Sequence, residues 1–228
     1  MRYNYFLSKF IGLHVYFFIR MKISVHVYYK EESKITSGCV LHMEDSTTPY
    51  SLDSTKVAEA TRRLLTERGV TVEQIGELVL FLQQKYFPTL TMETCIENIN
   101  MVLSKREVQN AVLTGIQLDL LAEEGKLLSP LQEMVRNDES LYGVDEILAF
   151  SIVNVYGSIG FTNYGYVDKL KPGILEKLND KHDGQIHTFL DDIVGAIAAA
   201  ASSRIAHRQQ AEKEIAEGKI KPNPHSSE

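Results

Sequence analysis

Apolar residues recur at three- and four-residue intervals along most of the chain after Met43, which is the pattern of amphipathic α-helices. Helix start and stop signals accompany this pattern: Thr71 followed by Gln74 is a capping box, and Pro88 interrupts the periodicity. The two-residue alternation typical of β-strands is not convincing anywhere after Met43. The sequence therefore predicts an all-α fold, organised as a single compact domain of many helices.

The predicted helices differ in how much of their surface is apolar. In chain order they cover residues 53–68, 71–87, 91–103, 107–124, 131–135, 144–156, 166–170 and 172–178, followed by a long helix that Thr188 caps. The helix over 144–156 is apolar on more than one face, so we expect it to be the central helix. Gly157, Gly160 and Gly165 are expected to break the chain after it. Five alanines over 193–201 would let another helix approach the last helix closely.

The first 42 residues differ in composition from the rest of the chain. They carry six Lys or Arg against two acids, and nine of the twenty aromatic residues. Their apolar run over 10–19 is shorter than the roughly 20 residues of a spanning helix. We interpret residues 1–42 as a leader that is either not native or disordered, with an interfacial membrane anchor as the alternative. The rest divides into a helical domain over 43–207 and a charged, flexible tail over 208–228.

The net charge and the cysteines narrow the classes of partner and compartment. The chain has a formal net charge of -6, so no global positive field attracts nucleic acid, and we expect no nucleic-acid partner. Cys39 lies in the leader and Cys95 in a predicted helix, where it is expected to be a buried small hydrophobe. This distribution favours a reduced, cytoplasmic setting. We predict no transmembrane span.

Five acidic residues lie beside apolar sequence rather than on fully polar helix faces. They are Asp145, Glu146, Asp168, Asp191 and Asp192. A buried carboxylate is costly unless a cation or a hydrogen-bond donor compensates for its charge. Mg²⁺ is one such cation, since it prefers oxygen ligands and is commonly held by one or two carboxylates with waters and phosphate oxygens. Lys171, one turn after Asp168, would add a cation on the same side. From spacing alone a structural explanation stays open, because the helix dipole also stabilises acids in a first turn.

The order of these residues resembles that of a known family. An Asp-Glu pair opens an apolar helix at Asp145, Val-Asp-Lys-Leu-Lys-Pro occupies 167–172, and Asp-Asp-Ile-Val-Gly-Ala-Ile begins at Asp191. Over residues 111–204 this arrangement resembles the phosphatidylglycerophosphatase A family. The resemblance is greatest to its soluble members from Gram-positive bacteria, which are of the low-temperature-requirement protein C type.

The resemblance implies a magnesium-dependent phosphoric monoester hydrolase of phospholipid metabolism, which converts phosphatidylglycerophosphate into phosphatidylglycerol. Carried over by position, it implies the metal ligands Asp145, Glu146, Asp168, Asp191 and Asp192. It also implies a catalytic set of Asp192, Asp168 and Lys171, with Lys171 and Gly184 in substrate binding. In the simplest mechanism, bound Mg²⁺ activates a water that Asp192 positions for in-line attack on the phosphate. We identify no covalent nucleophile.

A second hypothesis stays open beside the enzymatic one. The early Ser-Pro-x-x-Pro-Gly-Thr segment of the membrane-bound members is absent, and Gly165 stands where an Arg is common. The alternative is a non-catalytic helical protein that binds a phospho-ligand through a metal and serves envelope or cold adaptation. Under both hypotheses the partner is a phosphorylated lipid or a small phosphomonoester, met in the cytoplasm or by peripheral contact with the inner face of the membrane. A homodimer fits the apolar helix over 144–156 and the alanine-rich helix.

Overall fold

A computed structural model describes residues 53–180 and 184–219, and in these residues the structure is helical and contains no strand. The helices are α1 (Ser54–Glu67), α2 (Val72–Gln83), α3 (Met92–Leu103), α4 (Arg106–Glu123), α5 (Leu131–Asn137), α6 (Val144–Val153), α7 (Gly157–Leu170), α8 (Ile174–Leu178) and α9 (Leu190–Ala216). The prediction of an all-α fold is confirmed. The predictions on residues 1–42 and on the end of the tail fall outside the described residues.

The helix starts follow the capping signals of the sequence. The Asp53 side chain accepts a hydrogen bond from the Thr55 backbone N–H at 2.9 Å, which caps α1. At α2 both halves of the predicted capping box are present, because Thr71 and Gln74 each bond the other's backbone N–H. These local signals fix where α1 and α2 begin before any tertiary contact forms.

The central helix of the described domain is α9. It is 27 residues long, and all residues over 190–203 are buried. Helices α2, α3, α6 and α7 pack around it, and its run of alanines lets their backbones come close. The prediction that 144–156 would be the central helix is wrong. That segment is apolar on more than one face because one face packs on α9 while another remains exposed, with Ile147 65% exposed.

Helices α6 and α7 form a hairpin over Val144–Leu170, which we call the α6–α7 hairpin. The Phe150 and Phe161 ring centroids lie 5.5 Å apart, so the two helices fold back on each other across a short 3₁₀ turn. Of the three glycines predicted to break the chain here, Gly157 does so, with φ +69° between the 3₁₀ turn and α7, whereas Gly160 and Gly165 lie inside α7. Gly160 instead serves the packing of the hairpin: a Cβ at this position would lie only 2.8 Å from Val153 Cγ1.

The hairpin lies along α9 with a definite orientation. At its turn, the Tyr156 carbonyl accepts a hydrogen bond from Ser203 Oγ at 2.8 Å. At its open ends, Asp168 and Lys171 lie beside Asp192. Eleven helical residues separate positions 192 and 203, or about 16 Å along the axis at 1.5 Å per residue. The hairpin therefore brings the start of α6 and the end of α7 to the first turn of α9.

The charged segment that we predicted to be flexible from residue 208 is helical as far as Ala216, with an Arg208–Glu212 ion pair one turn apart at 3.1 Å.

Among the described residues, Val144–Leu170 is long and apolar enough to cross a membrane by length and composition. The fold divides this segment into helices of 10 and 14 residues, each shorter than the roughly 20 residues of a span.

Candidate acidic active site

Four carboxylates and one ammonium meet where three helix ends converge. Asp145 comes from the first turn of α6, Asp168 and Lys171 from the end of α7, and Asp191 and Asp192 from the first turn of α9. We call this group the acidic cluster. Asp145, Asp191 and Asp192 are all less than 9% exposed, so these acids are not part of a solvated face. The structure thus brings together four of the five predicted acids, together with the predicted lysine.

Lys171 lies at the centre of the acidic cluster. Its Nζ is 2.6 Å from Asp168 Oδ1, 2.7 Å from Asp191 Oδ2 and 3.4 Å from Asp192 Oδ1. Burial alone would lower the pKa of Lys171, but Asp191 and Asp168 outweigh burial and raise it, so the ammonium stays charged. The backbone of Lys171 has φ +44°, a left-handed conformation that ends α7 immediately before Pro172.

One ammonium does not neutralise four carboxylates, and the pKa values reflect this. Burial and the adjacent Glu146 carboxylate together raise the pKa of Asp145 to about 7. Burial, with Asp191 beside it, raises the pKa of Asp192 to about 8. Burial also raises the pKa of Asp191, against the opposing charge of Lys171. The acids of the cluster therefore tend to keep a proton near neutral pH, because one ammonium cannot compensate four ionised carboxylates.

The chemistry and arrangement of these side chains test whether a metal ion fits the acidic cluster. The described residues contain no three His, Cys, Asp or Glu side chains placed to hold a metal ion together, and Asp168, Asp191 and Asp192 share the Lys171 ammonium instead. Asp145 Oδ1 is nevertheless buried without a hydrogen-bond partner. All available donors are carboxylate oxygens, the type that Mg²⁺ prefers. The chemistry of these oxygens fits a hard divalent cation, while their present arrangement is around Lys171.

The start of α9 is fixed by an acid that the sequence analysis missed. Asp119 of α4 is completely buried, and its two carboxylate oxygens accept hydrogen bonds from the backbone N–H groups of Phe189 at 3.1 Å and Leu190 at 3.0 Å. The prediction that Thr188 caps this helix is wrong, because its hydroxyl donates to the Val135 carbonyl instead. Asp119 therefore satisfies two free N–H groups of α9 from a neighbouring helix, directly before the Asp191-Asp192 pair.

A second buried network holds the segment before α9. Arg68 Nη2 donates to Glu123 Oε1 at 2.6 Å and to the Ile186 carbonyl at 2.8 Å, and it lies 3.0 Å from His187 Nδ1. Glu123 Oε1 also accepts from the Ile186 backbone N–H at 2.7 Å. Burial and the adjacent Arg68 lower the pKa of His187 to about 4. Its ring is therefore neutral near pH 7, accepts at Nδ1 and carries its proton on Nε2.

A cavity of about 210 Å³ opens beside the acidic cluster. Its lining includes Glu123, Arg136, Asp138, Gly184, His187 and Asp191. Gly184, predicted to bind substrate, has φ +72° and lies in this lining, so its backbone can approach a ligand in a conformation that favours glycine. Arg136, which the sequence analysis did not select, is an exposed cation on the same wall. The cavity thus joins Asp191 to a positive group suited to phosphate.

The remaining predicted residues lie apart from the shared ammonium. Glu146 is half-buried and lies against Asp145. Cys95 is fully buried in α3, as predicted, and burial raises the pKa of its thiol to about 11. A thiol of this kind is not a nucleophile near neutral pH.

Tyr164 of α7 was not predicted as a site residue. It is buried beside Asp192 and Asp168, and their charges add to burial in raising the pKa of its phenol.

Comparisons with known proteins place the acidic cluster in a family context. The model of the phosphatidylglycerophosphatase A family matches residues 69–207, a range that includes every residue of the cluster. YutG of Bacillus subtilis (strain 168), itself uncharacterised, is 71% identical over 147 residues, which are 64% of this chain and 89% of YutG.

Two solved structures share the fold at high sequence identity. The low temperature requirement C protein from Listeria monocytogenes is 65% identical with a TM-score of 0.67, over 69% of this chain and 99% of that one. A protein of unknown function from Bacillus stearothermophilus is 74% identical with a TM-score of 0.65, over 66% of this chain and 94% of that one. The resemblance read from the acidic motifs is confirmed: the chain belongs to the phosphatidylglycerophosphatase A family, a family of phosphatases in lipid metabolism.

Proposed function

We propose that the chain is a magnesium-dependent phosphatase that hydrolyses the terminal phosphomonoester of phosphatidylglycerophosphate, giving phosphatidylglycerol and inorganic phosphate. The observation that carries the proposal is the acidic cluster: three carboxylates around one lysine, with the buried Asp145 carboxylate near Asp192, beside a cavity with an exposed arginine. The acids outnumber the one cation, and their raised pKa values reflect this shortage of positive charge.

Asp145, Asp168, Asp191 and Asp192 are the residues that would hold Mg²⁺, and Glu146 would orient Asp145. When bound, the ion would supply Lewis-acid stabilisation of the phosphoryl oxygens and a more acidic water. Lys171, already within 3.4 Å of three of these carboxylates, would turn its ammonium toward the phosphate once the carboxylates have another cation. Arg136 and the Gly184 backbone would bind the substrate from the cavity wall.

Asp192 is our candidate for the residue that positions the attacking water. With Mg²⁺ bound nearby, its carboxylate would be ionised and could accept the proton of that water. The water oxygen forms a bond to phosphorus as the bond to the glycerol oxygen breaks, and the departing oxygen takes up a proton. Cys95 does not supply a nucleophile to the cluster, since it is buried in α3 with a raised pKa. Direct attack by water is therefore the simplest course.

Phosphate release by the full chain tests the proposal. We expect release from phosphatidylglycerophosphate in mixed micelles with Mg²⁺, none with chelator, and a loss of at least about 100-fold in the Asp192→Asn variant. Glu176→Gln is the matched control, because Glu176 is an exposed acid of α8 outside the cluster, and its activity should equal that of the parent. Full activity in Asp192→Asn would disprove the assigned role.

The non-catalytic alternative has its own signature in the same experiment. It is favoured by the present arrangement of Lys171, which occupies the centre of the carboxylates at ion-pair distance. Under this alternative, neither the lipid nor small phosphomonoesters would be hydrolysed at any Mg²⁺ concentration. Metal-dependent binding of the phospholipid headgroup, measured by calorimetry, would persist without turnover.

A further inference from the structure

The α6–α7 hairpin exposes an apolar surface that the acidic cluster does not use. From Ile147 to Val167 the chain has 21 consecutive residues without Asp, Glu, Lys, Arg or His. The large apolar side chains that the hairpin exposes here and at the start of α6 define what we call the hairpin face: Val144, Ile147, Phe150, Val155, Ile159 and Phe161, each 36% to 65% exposed. Isolated exposed apolar residues are ordinary, but an uncharged group of this size marks an interaction surface.

The hairpin face is continuous across both helices. Val144, Ile147 and Phe150 follow one another at three-residue spacing and so lie on one side of α6. The Phe150 and Phe161 rings, 5.5 Å apart, join this side to α7. The exposed apolar side of α6 is therefore continuous with α7 at the Phe150–Phe161 contact.

Two exposed hydroxyls of the hairpin donate hydrogen bonds within their own helices. Ser151 Oγ donates to the Leu148 carbonyl at 2.6 Å, and Thr162 Oγ1 donates to the Ser158 carbonyl at 3.0 Å. These hydroxyls do not need hydrogen bonds from a partner, so they can enter an apolar phase at little cost. This property suits hydrocarbon, whereas a protein partner would commonly supply cross-interface hydrogen bonds.

The hairpin face also adjoins the acidic cluster. Ile147 comes two residues after Asp145, and exposed Tyr166 and Leu170 flank Asp168 on α7. A tyrosine at this end presents an apolar ring and a polar hydroxyl, the combination that suits a headgroup layer. Neither helix is long enough to cross about 30 Å of hydrocarbon, at 10 and 14 residues, so the hairpin would lie on a bilayer.

We propose that the hairpin face docks onto a lipid bilayer, with the acidic cluster at the level of the headgroups. The choice of a bilayer over a second copy of the chain rests on the proposed function, because the acyl chains of a lipid substrate must stay in an apolar phase while its phosphate reaches the cluster. Docking through apolar burial predicts binding to neutral lipid and little dependence on salt, since no charged residue lies between Ile147 and Val167.

Co-sedimentation of the full chain with phosphatidylcholine vesicles in 0.5 M salt tests this proposal. We expect the parent to bind, and Ile147→Asp and Val155→Asp each to lower the partition coefficient about tenfold or more, as expected for replacing a buried apolar side chain by a charge. Both side chains are substantially exposed, so the fold should persist, which circular dichroism would check. Leu128→Asp is the matched control, since Leu128 is 85% exposed outside the hairpin, and it should bind like the parent.

Three outcomes would overturn docking: no binding by the parent, equal binding by parent and hairpin variants, or a parent dimer that Ile147→Asp converts to monomer in analytical ultracentrifugation. Equal binding would indicate that residues 1–42, which all variants share, bind the vesicles in place of the hairpin face. Hydrolysis of a water-soluble phosphomonoester separates this proposal from the proposed function. Hairpin-dependent vesicle binding without hydrolysis of any substrate would refute the phosphatase and support docking. If Ile147→Asp instead hydrolyses both the soluble substrate and the vesicle substrate as fast as the parent, docking alone is refuted.

Discussion

Lys171 illustrates how a single residue sets the charge state of the candidate site. Its ammonium is within 2.7 Å of carboxylate oxygens from Asp168 and Asp191, and it approaches Asp192 at 3.4 Å. These carboxylates come from the ends of two helices that would otherwise repel each other. In the absence of metal, Lys171 thus holds α7 and α9 together at the point where the substrate phosphate would enter.

Replacing Lys171 by Met should destabilise the domain by about 2 kcal/mol in chelator at pH 7, because it leaves buried carboxylates without their counter-ion. Urea denaturation followed by circular dichroism would measure the free energy of unfolding. Adding Mg²⁺ should recover part of the loss, since another cation then compensates the acids. Lys169→Met is the control: Lys169 is exposed on the same helix and should change stability by less than about 0.5 kcal/mol. Equal stability of the two variants would contradict the assigned role of Lys171.

Asp119 should give the domain a pH-dependent stability. Burial raises its pKa from 3.8 to about 8. Between about pH 4 and pH 8 the folded state retains a proton that the unfolded state loses, so the free energy of unfolding falls as pH rises. In Asp119→Asn this contribution is absent. Relative to the parent, the variant should gain about 1 kcal/mol per pH unit between pH 5 and pH 7.

Denaturation curves at several pH values would measure this difference. The asparagine keeps one oxygen acceptor for the start of α9, so at pH 5 its cost should be near 1 kcal/mol. Glu176→Gln, at an exposed position, should show no change in slope. Parallel pH profiles of parent and Asp119→Asn would indicate that Asp119 is ionised throughout.

At the scale of elements, small residues decide how closely the helices approach α9. Gly115 of α4 faces α9 so closely that an added Cβ would lie 2.3 Å from Ile193 Cδ1 and 2.9 Å from Phe189 Cβ. This contact lies next to the Asp191-Asp192 pair, so the spacing of α4 and α9 also sets the position of the acids. Gly165 of α7 is different: it is exposed, and nothing lies within 4 Å of an added Cβ.

The two glycines should respond to alanine with opposite signs. Gly115→Ala should destabilise the domain by about 1–3 kcal/mol, since the neighbouring side chains must shift to accept the methyl group. Gly165→Ala should stabilise it by about 0.5–1 kcal/mol, because alanine restricts the unfolded chain and favours the helix. Thermal and urea unfolding would measure both. If both variants shift in the same direction, the packing described for α4 and α9 is wrong.

At the scale of the whole molecule, the fold gathers charge at one end and apolar surface along one side. The hairpin and α9 run together, so that Asp145, Asp168 and Asp192 meet although 23 and 24 residues separate them along the chain. A cation bound there would join α6, α7 and α9, and would be linked to the folding of the entire domain. Free energy from metal binding should therefore appear as global stability.

Each tenfold increase in Mg²⁺ above its dissociation constant should raise the free energy of unfolding by about 1.4 kcal/mol, from the linkage of one bound ion to folding. Urea titrations of the full chain at increasing Mg²⁺ would measure this slope without any substrate. In Asp192→Asn the rise should begin at a higher Mg²⁺ concentration. If the free energy of unfolding of the parent is the same in chelator and in about 10 mM Mg²⁺, a Mg²⁺ site of useful affinity is excluded.

Much of the fold was accessible from sequence because its signals are local. The capping box of Thr71 and Gln74 requires only neighbouring residues, and it appears as predicted. The role of Asp119 was missed because it acts across 70 residues on Phe189 and Leu190. Its one local signal was an acid on the apolar face of α4, three residues after buried Ile116.

The sequence by itself determined that the chain is helical, where most helices begin, and which acids accompany apolar segments, since these properties depend on spacing within one or two turns. Only the tertiary structure decided that α9 is central, that Gly160 closes a hairpin instead of breaking the chain, and that Lys171 lies among three carboxylates. These outcomes depend on which faces pack together, and residues far apart along the chain set that choice through shape and burial. An apolar segment with two apolar faces has the same sequence pattern whether a neighbour covers the second face or leaves it exposed, as on the hairpin face.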